Sequence, residues 1–268
     1  MHVTTTLEAP TAMIDRVASV LEAFVEERPL TLAEVARRSG LPRSSTHRIL
    51  QRLVELAWVE REGYEYVLGI RMFEFGSRVR RQRSVHEAAL PVMTDLHRRS
   101  GMTVYLSTID GAEVIHLERV GLGPRGGGQW GIGGRQAVET AAPGHALLAV
   151  MPRPAWPELR FADAPTCYSV KSRLQLDREL QRTRDRGGIA VDSQGNTLGV
   201  TVVAAPIRSA DQHARLAVSV CGPTHTMRTT SAVNAVRSAA MEIWYAAMGV
   251  PRSRNRLQQM DRLPVGFR

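Results

Sequence analysis

Apolar residues recur at helical spacing over residues 12–27, where Ile14, Val17, Leu21, Phe24 and Val25 are interleaved with acids. Arg28-Pro29 breaks that helix. Thr31-Leu32-Ala33-Glu34 has the form of a capping box, in which Thr and Glu satisfy each other's free backbone donors. A short helix follows through Arg38, with Leu32, Val35 and Ala36 as its apolar face, and Ser39-Gly40 ends it. Leu41-Pro42 opens a third helix. Ile49, Leu50, Leu53 and Leu56 form its inner face, and Arg43, Ser44, Ser45, Thr46, His47, Arg48, Gln51 and Arg52 cover much of the rest. Two short β-like runs, Ala57–Glu60 and Tyr64–Leu68, flank Arg61-Glu62-Gly63 and read as a hairpin. Three helices and then a hairpin describe a winged helix-turn-helix, with Ser39–Pro42 as the turn before the recognition helix.

The pattern then changes. Residues 70–83 mix apolar and basic positions and read as a linker helix running toward a helix at 86–99. Met102–Ile109 and Glu113–Val120 form a hairpin about Asp110-Gly111. Residues 121–134 contain eight glycines and are expected to be a mobile loop. A short helix is expected over Pro143–Met151, a proline-rich irregular stretch over 152–165, and a charged helix over 171–186 ended by Gly187-Gly188. Val200–Ile207 and Arg215–Val220 are apolar β-rich runs, and Thr229–Met248 is a long amphipathic helix. This order describes an α+β domain on an antiparallel sheet. The expected divisions are a DNA-binding domain at 1–69, a linker helix at 70–85, a second domain at 86–250 and a basic, disordered tail at 251–268.

Composition narrows the classes. The 268 residues are 43% hydrophobic, too apolar for a disordered chain. No apolar run reaches the ~18–20 residues that cross a bilayer. The opening residues lack the basic start and apolar core of a signal peptide, so a cytoplasmic protein without membrane partners is expected. Cys167 and Cys221 are too few for a disulfide framework and form no C-x-x-C, which argues against structural zinc. The net charge of +9 invites a nucleic-acid reading, but its distribution matters more. Residues 1–84 carry 13 basic and 11 acidic residues, whereas 251–268 carry 5 and 1. The local signal is the stretch 37–52, with five Arg and no acid.

That stretch suits phosphates and guanine edges, through Arg side chains, Ser and Thr hydroxyls and a helix N-terminus. The bland alternative is a solvated basic helix in a module that binds protein. Arg43, Ser44, Ser45, Thr46 and Arg48 are the candidates for groove contacts, with His47 and Arg52 beside them and Arg61 of the wing aimed at phosphate. Gly121-Leu122-Gly123-Pro124-Arg125-Gly126 matches G-x-G-x-x-G, but further glycines follow where a dinucleotide site needs a helix, so no cofactor is expected. Lys171 is the sole lysine and sits in no phosphate-loop motif. The histidines lack metal-ligand spacing, and His116 reads as packed rather than catalytic. No catalytic or metal-binding residue is assigned.

The ordered set Ile14-Asp15-Arg16, Leu32–Ala36, Leu41–Leu50, Tyr66–Gly69, Gly144–Ala149, Val203–Ile207 and Ala217–Pro223 resembles the IclR family of bacterial transcription regulators across most of 12–249. The resemblance implies a winged helix-turn-helix joined by a helix to a GAF-like effector-binding domain. It implies dimers, often paired into tetramers, on near-palindromic double-stranded DNA. It also implies that an effector's polar head meets Ala141 and Ala142, Asp192 with Val202, and Ser219 with Cys221. Family members often have Cys at the place of Val202, Ser at Cys221, His at Glu139 and Lys at His145. These departures suggest a bulkier or more aromatic effector than a two-carbon acid, or none, with Val202 and Cys221 then plain core. Asp192 could equally cap a turn before Gly195. The expectation is a regulator, more often a repressor, controlled by an organic or aromatic acid. The rival is a ligand-sensing α+β enzyme whose N-terminal module makes protein contacts.

Overall fold

A computed structural model describes residues 12–24, 28–78, 83–124, 128–161, 164–208 and 216–249. The chain divides into two units, 1–81 and 82–268. The expected tail lies outside the described residues.

The first unit contains α1 (Met13–Glu22), β1 (Leu30–Thr31), α2 (Leu32–Ser39), α3 (Arg43–Glu55), β2 (Val59–Glu62), β3 (Glu65–Leu68) and α4 (Ile70–Ser77). The capping box forms as the sequence indicates. Glu34 N–H donates to Thr31 Oγ1 at 3.4 Å, and Thr31 N–H donates to Glu34 Oε2 at 2.9 Å. These bonds hold the Glu34 carboxyl down at about 2. Gly40 closes α2 at φ 67°, the left-handed turn that lets α3 depart. Val20, Leu30, Val35, Leu50, Leu53 and Val59 bury one shared core, at roughly 1.5–3 kcal/mol for each large side chain. The wing has three strands in the order β1-β3-β2, all antiparallel, with Leu30 and Arg61 both opposite Tyr66. The linker expected at 70–83 is helical over α4, while 79–82 lie outside the described residues.

The second unit contains α5 (Arg83–Ser100), β4 (Thr103–Asp110), β5 (Glu113–Val120), β6 (Arg135–Ala137), α6 (Ala142–Val150), α7 (Arg173–Asp185), β7 (Ala190–Ser193), β8 (Val200–Ile207), β9 (Leu216–Pro223) and α8 (Thr229–Ala247). Its six strands form an antiparallel sheet in the order β6-β5-β4-β9-β8-β7. The strand alternation decides the layers. Val104, Leu106, Val203, Ala205, Val218 and Val220 face α5 and α8. Tyr105, Val202, Ala204 and Cys221 face α6. Strands β8 and β9 are apolar on both sides because helices cover both faces. Helix α7 covers α6 in turn through Leu176 and Leu180, which leaves α6 buried nearly all round.

The short strands β6 and β7 add edges to the sheet that no apolar alternation predicts, and one expectation is corrected. The glycine-rich segment, read as a mobile loop, carries a 3-10 turn at Gly128–Trp130 whose Trp130 is buried. Its backbone is tied to the sheet, with His116 N–H donating to Gly134 O at 3.0 Å and Gly133 N–H to His116 O at 2.7 Å. Residues 125–127 lie outside the described residues.

Candidate nucleic-acid interface and effector cavity

On α3 the helical period separates an outer face from an inner one. Arg43, Ser44, Arg48, Gln51 and Arg52 are exposed, and Ser45 and His47 are half-buried. Thr46 is fully buried beside Ile49, Leu50 and Leu53, and its hydroxyl donates to Pro42 O at 3.1 Å. Thr46 is therefore removed from the groove candidates; it closes the first turn of α3 onto the core. Among the described residues, Arg37, Arg43 and Arg48 make no ion pair, whereas Arg52 pairs with Glu55 at 2.6 Å on the surface. Arg61 donates from Nε to Gly63 O at 2.9 Å and lies 5.8 Å from the Tyr66 ring, so it is held against its own hairpin. The first turn of α3 has no acidic residue. Its free amides and Arg43 make an anion-attracting end.

In the second unit a cavity lies where α6 starts on the sheet. It is lined by Tyr105, His116, Trp130, Gln136, Ala141, Ala142, Pro143, Asp192, Asn196, Val202 and Ser219. The side chains close in so far that no water-sized space remains. The N-cap Ala141 supplies no side-chain bond to the helix, and Pro143 in the first turn has no N–H. The amides of Ala142 and Gly144 therefore end α6 without a helical partner, giving a positive pole at the cavity.

Four buried polar atoms of the lining have no hydrogen-bond partner: His116 Nε2, Trp130 Nε1, Asn196 Nδ2 and Ser219 Oγ. Each such group costs about 1–3 kcal/mol when left unpaired. Their convergence on one cavity marks a place where a ligand would recover that loss. Other polar atoms are engaged. Tyr105 Oη and Arg119 each donate to Trp130 O at 3.2 Å, and Ser107 Oγ lies 2.9 Å from His116 Nδ1. The three rings pack together, Tyr105 4.5 Å from His116 and His116 6.1 Å from Trp130.

Burial sets the charges. It pushes the Asp192 carboxyl up to about 6, against the backbone amides of Gly195 and Asn196 that pull it down. Those amides reach Asp192 Oδ1 at 2.9 Å and Oδ2 at 3.2 Å, so Asp192 does cap the turn before Gly195 while also lining the cavity. Burial, with Arg119 adding, pulls His116 down to about 4. Burial, with Asp192 adding, pushes the Cys221 thiol up to about 12, and burial likewise raises Tyr105.

Of the residues the resemblance named, Ala141, Ala142, Asp192, Val202 and Ser219 line this cavity. Cys221 does not; it is 2% exposed, pairs with Val202 across the strands and belongs to the core beside the cavity. Glu139 and His145 also lie off the lining, with His145 Nε2 2.7 Å from Glu139 O. Sequence reasoning missed Tyr105, Trp130, Gln136 and Asn196, and it gave His116 a packing role alone. No spacing joins these residues; the sheet does.

The chain matches the family model for the bacterial transcriptional regulator IclR C-terminal region over residues 78–245 and that for the IclR helix-turn-helix domain over residues 13–63. The transcriptional repressor IclR of Escherichia coli (strain K12) is 27% identical over 248 residues, 88% of this chain and 90% of its own. The regulator XynR of the same strain is 27% identical over 213 residues, 77% of this chain and 84% of its own. An IclR homologue from Microbacterium hydrocarbonoxydans, solved with 4-hydroxybenzoate, superposes with a TM-score of 0.75 at 26% identity, covering 89% of this chain and 100% of that one.

Proposed function

Because the chain belongs to the IclR family of bacterial transcriptional regulators, and so is a DNA-binding regulator, we propose that a small aromatic acid in the cavity controls its hold on DNA. The observation that carries this reading is the set of four unpartnered buried polar atoms around the first turn of α6. A carboxylate suits the free amides of that turn, and a flat ring suits the walls of Tyr105, His116 and Trp130. The relative solved with 4-hydroxybenzoate supports an acid of this kind. Since the lining leaves no water-sized space, the acid must shift side chains to enter, and that rearrangement is what it can transmit. Ala141, Ala142, Asp192, Val202 and Ser219 are the proposed contacts.

On DNA, the proposed contacts are Arg43, Ser44, Ser45 and Arg48, with His47, Arg52 and Arg61 at the margin. The target is a near-palindromic operator bound by a homodimer or a dimer of dimers. Support for self-association comes from α4, where Ile70 and Phe73, one turn apart, are 62% and 72% exposed. The regulator acts in the cytoplasm, more as repressor than activator; among the described residues no helix is long and apolar enough to cross a membrane. No catalytic role is assigned. A thiol at about 12 and 2% exposed, that of Cys221, holds almost no thiolate at neutral pH.

The test is a thermal-shift screen of benzoates followed by gel shift on DNA flanking the gene. A ligand at 100 times its Kd adds about 2.7 kcal/mol to the folded state. A panel of benzoates that neither stabilises the protein nor changes operator binding rules the reading out.

A further inference from the structure

We propose that His116 is the group that reads the end of the effector opposite its carboxylate, donating from Nε2 to a ring oxygen there. This rests on the aromatic-acid reading of the cavity and goes beyond it to the effector's substitution.

His116 is 1% exposed, faces the cavity, and has an unpartnered Nε2. Its other nitrogen is fixed by Ser107, itself fully buried, at 2.9 Å. Ser107 and an acceptor in the cavity together set the tautomer. If Nδ1 carried the proton, the Ser107 hydroxyl proton would be buried with no described acceptor. If Ser107 donates to Nδ1, the proton sits on Nε2; each arrangement leaves one buried donor, but the one on Nε2 faces the cavity, where a ligand oxygen can accept it. The ring is neutral at pH 7, because burial pulls it down to about 4. Nε2–H is then an uncharged donor, suited to a hydroxyl or carbonyl oxygen rather than to a second anion.

The strand order sets the length of the ligand. Strand β4 lies between β5, which carries His116, and β9, which carries Ser219. The two residues are thus two strands apart, about 10 Å across the sheet at ordinary strand spacing. Helix α6 packs mainly over β8 and β9. A two-carbon acid that meets Ser219 is too short to meet His116 as well. A ring with a carboxylate at one end and an oxygen at the other can meet both, lying against Tyr105 between them.

Calorimetry with benzoate and 4-hydroxybenzoate tests this, because the pair differs only in the oxygen. The wild type should bind 4-hydroxybenzoate about tenfold more tightly. His116→Phe keeps a flat ring without the donor and should bind both within about twofold. His116→Gln places an amide nitrogen near the position of Nε2 and should restore at least part of the preference. Ser107→Ala, which frees the tautomer, should lower it. A general loss of packing would weaken both ligands alike and leave their ratio unchanged. A His116→Phe protein that keeps the wild-type ratio overturns the assignment; should that variant not fold, an unchanged ratio in both His116→Gln and Ser107→Ala does so. If neither benzoate binds the wild type, the aromatic-acid reading itself falls, and the assignment with it.

Discussion

Replacing Gly144 with alanine adds one methyl group at the first turn of α6, where the structure has no room for it. The added Cβ would lie 2.2 Å from the carbonyl oxygen of Val138 and 2.9 Å from its Cγ2. That is more than roughly 1 Å inside an ordinary contact, and the nearest atom is backbone, which cannot rotate away. Two effects oppose each other. Alanine gains about 1 kcal/mol over glycine inside a helix. Overpacking costs about 1–3 kcal/mol and more where backbone must move, so the clash wins. The expected net loss is about 1–2 kcal/mol, a fall in Tm of about 3–6 °C for a unit of this size. The displacement also moves the free amides of Ala142 and residue 144 away from the cavity, so affinity for 4-hydroxybenzoate should fall at least tenfold. Preference for operator over random DNA should be kept, because the proposed groove contacts of α3 rest on the core of the first unit. Thermal unfolding, calorimetry and operator gel shift read the three effects. A Gly144→Ala protein as stable as the wild type and with its full affinity would refute the packing of α6 and its role in the site together.

Arg48→Ala should relax discrimination between operator and random DNA by about 1–3 kcal/mol if Arg48 reads a base, measured by competition gel shift; unchanged discrimination removes it from the contacts. Thr46→Ala should instead lower stability by about 1 kcal/mol and leave operator preference intact, since its hydroxyl is spent on Pro42. His116 sits at about 4, below its ordinary 6.5, so the stability it contributes is present above pH 6.5 and is lost as pH falls toward 4. Asp192 sits at about 6, above its ordinary 3.8, so its contribution is present below pH 3.8 and is lost as pH rises toward 6. The two slopes oppose each other between pH 4 and 6. In denaturant unfolding, His116→Phe should gain about 3 kcal/mol on the wild type as pH falls from 7 to 4, and parallel pH curves would contradict the burial of the ring. Trp130 emission should change on adding 4-hydroxybenzoate and the change should vanish in Trp130→Phe; a response that persists comes from another tryptophan.

The elements legible in the sequence are those whose signal is local. The capping box at Thr31–Glu34, the β4–β5 hairpin about Gly111 and the period of α8 each lie within one stretch of chain. Strands β6 and β7 were hidden because they are three and four residues long and carry Arg135, Gln136, Asp192 and Ser193. Trp130 was hidden by its glycines: flexibility was read where a buried indole pins the segment. Thr46 was legible and misread. It precedes Ile49, Leu50 and Leu53 by three, four and seven residues, the period of the inner face, yet its hydroxyl suggested phosphate. Tyr105, Asn196 and the cavity-facing side of His116 could not be read at all, since segments far apart in sequence bring them to one cavity.

The central claim is that occupancy of the cavity and the grip on DNA are coupled. Fluorescence anisotropy of a labelled operator fragment, titrated with the protein with and without saturating 4-hydroxybenzoate, tests it directly. The account predicts that the acid changes the operator Kd by about 5-fold or more, in the range of ordinary allosteric coupling. An operator Kd unchanged at acid concentrations that calorimetry shows to be saturating would contradict it.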